Sequence, residues 1–426
     1  MINEKLVNVC DKIMVVSFCA MIFFLPFYPA FIEALYVIAF LAFIVKRVHL
    51  CKVRKVQGRF QFFLEIFRPQ GSSLDQPLFW YVLIAFLSIF LSYTPVTSMK
   101  GFVFKLLQDV YTYFMFVEVM YTRKRMLGFM FSFLASIGIV VFNGILQLIF
   151  HCDFINHYML ISDMRVTSSF KHSNDLGGYL ASVIPWLIAI LFFMPATKFA
   201  DLKSEVLEKI SHSKRFRFAI FVVLAAALVC LSATYSRASW IGFAVGTLFL
   251  VFRRSKRIIA VLTLVFFSLG VFCFSFKHDD QLKLINKTKI FSGSGREEYW
   301  MEAINMIKDH PVLGVGINAY SIVARDYKIS WGGYPHNCYL QMAAELGILG
   351  IGAFFWILVC LWQKVRGFMR NSSDMFCQIH VLGLTAGLLG YLVQSFFDTT
   401  MYSVNLGTLL WLLFAGIYQM TRVAKV

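Results

Sequence analysis

Apolar runs of membrane-crossing length follow one another along almost the whole chain, and no other feature limits the fold as much. A helix needs about 20 apolar residues to cross the hydrocarbon of a bilayer, because every backbone polar group must be satisfied within the segment. Twelve runs approach that length: 8–25, 30–46, 77–95, 102–121, 127–150, 175–195, 217–235, 238–252, 258–276, 338–363, 376–397 and 403–421. Pro26 and Pro29 separate the first two, and the eighth is short enough to be tilted or partly re-entrant. Of the 426 residues, 59% are hydrophobic and 15% charged, too few charges to cover a soluble chain of this size. The expected fold class is an all-α polytopic membrane protein of about twelve transmembrane helices.

Charge sets the expected orientation. Most of the 40 lysines and arginines fall in one alternating set of connections: 46–70, Arg123 to Arg125, 196–217, Arg253 to Arg257, 364–374 and the two termini. The positive-inside rule places that set, with both termini, in the cytoplasm. The other set then faces outward and includes 151–174 and a long loop, 277–337. The expected organisation is nine helices over 1–276, an external loop over 277–337, and three helices over 338–426. The net charge of +17 fits basic loops and anionic lipid headgroups better than nucleic acid. The nine cysteines form no CxxC pair and read as small core hydrophobes. The first apolar run has no small-residue cleavage site and reads as a retained span.

A loop of about 60 residues without structure is unusual unless it serves a function. Here Ser294 and Glu297 have capping-box spacing, and Trp300, Ile304 and Ile307 recur at helical intervals. Asp309-His310-Pro311 stops the pattern. The spacing predicts an amphipathic helix over about 295–309, seated at the outer interface or on top of the bundle. Arg296 in its first turn opposes the helix dipole, so it either faces an anionic partner or is simply solvated. Gly314 and Gly316 allow a phosphate-cradling nest or a plain turn.

Charged groups at membrane depth are costly and therefore informative. Arg237 lies in the short turn of "TYSRASWIG" and either snorkels to headgroups or faces an outer cavity. Lys105 and Asp109 lie one turn apart in the fourth run, and Arg165 and Lys171 precede the sixth. This external cationic set suits a diphosphate, while no HExxH, DxD or metal-like carboxylate pair stands at the external face, the nearest approach being Asp279-Asp280 in a lysine-rich, solvated run. Pro335 interrupts any helix arriving from the loop, and Asn337 can cap a new one. His336 would stand at that anion-attracting end, either as a structural group or as a proton acceptor. Gly347 and Gly350 would let a neighbouring helix pack closely.

Taken together, these blocks resemble the O-antigen ligase family, which shares a superfamily with O-antigen polymerases. His336-Asn337, nine residues and Gly347-x-x-Gly350 resemble its signature. "SRASWIG", "GREEYWMEAINMIKDHPVLGVGINAY" and "RVTSSFKHSNDLGGYL" resemble three further blocks in family order, with Lys171-His172-Ser173 standing where many members have Asn-Pro. The resemblance implies a GT-C-type glycosyltransferase working without metal or cofactor at the periplasmic face of the bacterial inner membrane. Its donor would be a polysaccharide on undecaprenyl diphosphate, and its acceptor a sugar hydroxyl of lipid A–core. The same resemblance gives His336 the role of general base and Arg237 and Arg296 that of diphosphate ligands. Arg165, Lys105 and Asn337 become further substrate contacts. Tyr299, Trp300 and Trp331 would stack on sugars or anchor the interface. The alternatives are a polymerase extending lipid-linked repeat units and, in another class, a transporter of lipid-linked glycans.

Overall fold

The computed structural model describes residues 4–69, 71–160, 165–194, 213–254, 296–327 and 333–424. These are helical throughout, apart from turns and one isolated bridge between Cys152 and Met159. In order they form α1 (Glu4–Phe24), α2 (Pro29–Val53), α3 (Arg59–Phe67), α4 (Asp75–Phe90), α5 (Pro95–Gly101), α6 (Gln108–Val119), α7 (Arg123–Phe150), α8 (Ser173–Phe193), α9 (Lys214–Ala233), α10 (Arg237–Arg254), α11 (Arg296–Asp309), α12 (Cys338–Asn371), α13 (Met375–Gln394) and α14 (Val404–Val423). Among the described residues eight helices are long and apolar enough to cross a membrane: α1, α2, α7, α8, α9, α12, α13 and α14. The protein is an all-α polytopic membrane protein. The expected total of twelve spans is not reached within the described residues, and the expected span 258–276, Ser294, Trp331 and the first part of the long loop lie outside them. The expected run 102–121 is part of a longer unit, because α5 continues through a π-helical stretch, Phe102–Leu107, into α6.

α8, α10 and α13 form the tightest part of the bundle, and glycine is the reason. A Cβ at Gly246 would sit 2.5 Å from the Ala386 carbonyl oxygen, and one at Gly390 would sit 2.6 Å from that of Ala181. Gly387 meets the Ser182 carbonyl more closely still. Lipid tails are as apolar as leucine, so helices in a membrane associate through such close backbone packing. Almost every residue of α8 is buried as a result.

At one end of the bundle, α1, α2, α6 and α7 are tied by buried charges. Lys46 Nζ lies 2.7 Å from Asp11 and 2.9 Å from Glu118. Arg47 reaches Glu118 at 2.6 Å, and Arg125 reaches Asp11 at 3.2 Å. At the same end Arg123 pairs with Asp374, just before α13, at 2.9 Å.

At the other end, α11 packs on the first turns of α12. Ala303 and Met306 meet Val315, Tyr320 and Ala344 in a small separate core. Gly347 is a break in α12 rather than a helix-face contact, with φ of 66°. That left-handed conformation is open to glycine without the Cβ penalty. The break admits the segment 311–316: Val315 N–H donates to Ala344 O at 2.9 Å, Gly316 N–H to Glu345 O at 3.0 Å, and Ile348 N–H to Pro311 O at 2.8 Å. The amides of Val315 and Gly316 are therefore committed to α12, so this glycine pair forms a docking turn and not an anion nest.

Candidate active site

Pro335 ends the incoming loop, and Asn337 caps α12: its Oδ1 accepts from the N–H of Tyr339 at 3.0 Å and of Leu340 at 3.1 Å. Between them His336 adopts φ of 47°, an uncommon backbone state for a residue with a side chain. Neighbours enforce it. Trp300 Nε1 donates to Pro335 O at 2.9 Å, and the Tyr299 ring meets the imidazole edge-on with centroids 6.1 Å apart. Behind the histidine, Cys338 N–H donates to Ser395 O at 2.9 Å and fixes the start of α12 to the turn that follows α13.

That turn supplies Asp398. His336 Nδ1 lies 3.3 Å from Asp398 Oδ1, which also accepts from Thr399 N–H at 2.9 Å. Asn174 Nδ2 donates to Asp398 Oδ2 at 2.9 Å, and Arg165 Nη2 donates to Asn174 Oδ1 at 2.6 Å. Arg165 Nε is anchored on Thr234 O at 2.7 Å. A continuous chain, Arg165–Asn174–Asp398–His336, thus runs from the turn before α10 to the imidazole. Asp398 is 13% exposed and His336 43% exposed at the side chain, so the chain opens outward at its last member. Burial pushes the Asp398 carboxyl up, but hydrogen bonds from His336, Thr399 and Asn174 outweigh it and hold the group below its ordinary value. An ionised Asp398 requires Nδ1 to carry a proton, which leaves Nε2 of a neutral His336 as the acceptor.

The imidazole faces a cavity of about 580 Å³ whose lining includes Lys105, Arg165, Lys171, Asn174, His336 and Asp398. Lys105 Nζ is held by Asn318 Oδ1 at 2.8 Å. Of the residues singled out from sequence, His336, Arg165, Lys105 and Lys171 line this cavity together. Tyr299 and Trp300 act on the backbone and ring of His336. Asn337 is a buried cap. Arg237 and Arg296 are not among the lining residues. Arg237 opens α10, three residues after the carbonyl that anchors Arg165, and Arg296 opens α11, one turn before Tyr299 and Trp300. Both cations stand on elements that hold the cavity wall. Asp398 and Asn174 were not expected as members of the site. The sequence signal for Asp398 was a carboxylate at the lip of a long apolar run, "LVQSFFDTT".

Comparison with known proteins concerns the chain as a whole and one region of it. Residues 220–355 match the O-antigen ligase family. A Rickettsia typhi protein named "Putative polysaccharide ligase" is 25% identical over 328 residues, 71% of this chain and 73% of the relative. A Rickettsia prowazekii protein of the same name is 25% identical over 309 residues, 68% of each chain. The matched region contains Arg237, Arg296 and His336, whereas Lys105, Arg165, Asn174 and Asp398 come from outside it. Residues 220–355 thus match the same family that the motifs resemble.

Proposed function

We propose that the protein is an O-antigen ligase. It transfers a polysaccharide from undecaprenyl diphosphate to a sugar hydroxyl of lipid A–core at the periplasmic face of the inner membrane, on a GT-C-type scaffold. The observation that carries this reading is the Arg165–Asn174–Asp398–His336 chain, which ends on a half-exposed imidazole at a cationic cavity.

In this reading His336 Nε2 accepts the proton of the acceptor hydroxyl as its oxygen attacks the anomeric carbon. The new C–O bond forms as the bond to the diphosphate breaks, with inversion. Asp398 holds the tautomer and balances the imidazolium that forms. A positioned base of this kind contributes about 10²–10⁴-fold. Undecaprenyl diphosphate leaves as an anion, and Arg165 and Lys105 in the cavity supply the countercharge, joined by Arg237 and Arg296 in this reading. Tyr299 and Trp300 keep the base in place from the α11 side.

Purified protein given labelled donor with lipid A–core should form ligated product, and donor alone should give none. Chain growth from donor alone would instead make the protein a polymerase. A His336→Ala variant that still ligates but no longer moves donor across the bilayer would replace the enzymatic reading with transport.

A further inference from the structure

Three arginines gather at the end of the bundle opposite His336. α10 starts beside the candidate site at Arg237 and ends at Arg254; α12 starts at Cys338 and ends at Asn371. α13 begins at Met375 and returns toward Ser395, which bonds Cys338. With about 1.5 Å of rise per residue, Arg253 lies roughly 24 Å along its helix from Arg237, and Arg366 about 40 Å from Cys338.

A cleft of about 470 Å³ opens between these three helix ends, lined by Arg253, Arg366, Arg370, Trp362 and Gln378 among others, with no carboxylate among the described residues of its wall. The guanidinium of Arg253 stands 5.8 Å from the Phe249 ring centroid and 5.5 Å from that of Trp362. The two rings meet edge-on at 5.9 Å. The aromatic floor therefore fixes one cation, and all three arginines are exposed.

Four other cations at this end differ. Lys46, Arg47, Arg123 and Arg125 at the same end each have a carboxylate partner. Among the described residues Arg253, Arg366 and Arg370 have none. Three unmatched guanidiniums over a tryptophan, where apolar helices end, sit at the depth of lipid headgroups. Exposed apolar side chains adjoin the cleft residues along their helices: Phe252, next to Arg253, is 83% exposed, and Val359, one turn before Trp362, 51%. A soluble anion would leave that surface bare, whereas an acyl chain would cover it.

We propose that this cleft binds the phosphate headgroup of an anionic glycerophospholipid in the leaflet opposite the candidate active site. Guanidinium forks match phosphate oxygens in pairs, and one headgroup would bridge α10, α12 and α13. The site does not depend on which sugar chemistry the other end performs.

The test uses the full chain in zwitterionic nanodiscs with increasing phosphatidylglycerol, read by thermal unfolding and by lipid adducts in native mass spectra. Phosphatidylglycerol should raise the unfolding temperature and add discrete adducts. Phosphatidylcholine and inorganic phosphate should do neither. Each arginine lost near an anionic surface should weaken lipid binding about fivefold, so a triple R253Q/R366Q/R370Q variant should lose on the order of a hundredfold. The triple lysine variant should keep most of the binding. Should the triple glutamine variant not fold, Arg370→Gln alone, at the exposed end of α12, should still show the fivefold loss. Unchanged phosphatidylglycerol affinity in the folded variants, or an equal shift with inorganic phosphate, overturns the proposal.

Discussion

Two hydrogen-bonded clusters of charged side chains among the described residues, one at each end of the bundle, are built differently. The cluster of Asp11, Lys46, Arg47, Glu118 and Arg125 is sealed. Its four innermost members are each less than a tenth exposed, and cations and carboxylates alternate at 2.6 to 3.2 Å. The Arg165–Asn174–Asp398–His336 chain is open: buried partners lead to an imidazole that is 43% exposed beside a cavity. Closed charge matching leaves no group free to change its proton or take a ligand. A chain that orients a terminal base, and leaves its far nitrogen accessible, is suited to chemistry. Both clusters look alike in sequence, as scattered charges at the edges of apolar runs.

The comparison breaks first at its active terminus. His336→Ala should lower transfer by about 10²–10⁴-fold while leaving the unfolding temperature nearly unchanged, as followed with labelled donor and a thermal scan. The sealed cluster should behave in the opposite way. Glu118→Ala takes the buried carboxylate from Arg47 and leaves Lys46 with Asp11 alone, and should cost about 3–5 kcal/mol of stability, seen in detergent unfolding, while protein that remains folded keeps its turnover.

Asp398→Asn should sharpen the contrast, because it removes the acceptor that sets the tautomer. A loss of about 10²-fold is expected, expressed in turnover more than in substrate affinity. It should also change the acid response. The folded Asp398 carboxyl lies below its ordinary value, so its contribution to stability is complete above that value and is lost as pH falls through the lower, folded one. The stability gap between wild type and Asp398→Asn should therefore narrow below about pH 4. Asn337→Ala should have the smallest effect. Loss of this cap should cost about 1 kcal/mol in unfolding measurements and lower activity only as far as the start of α12 frays.

The membrane fold was legible because apolar length is a local property that each run carries alone. The candidate site was legible in pieces. His336, Arg165 and Lys105 stood out as polar groups at helix mouths, and they share a cavity. Their connection was not legible, because it depends on the turn 395–398 folding back against Cys338 and delivering Asp398 from some 60 residues away. Gly347 was misjudged for a related reason. Two glycines three apart in an apolar helix suggest close helix packing, and only the docked segment 311–316 reveals a break in the helix. The glycines that do bring helices together, at 246, 387 and 390, lie in runs that sequence marks merely as apolar.

Those same glycines have a mechanical consequence. Where carbonyls abut α-carbons there are no rotamers to rearrange, so α8, α10 and α13 can shift only as one block. Asn174 at the mouth of α8 and Asp398 just past α13 ride on that block and keep their spacing whatever enters the cavity. The first turns of α12, tied to that block through Cys338 and Ser395, meet the rest of their helix at a single glycine, so any change of angle within α12 falls at Gly347.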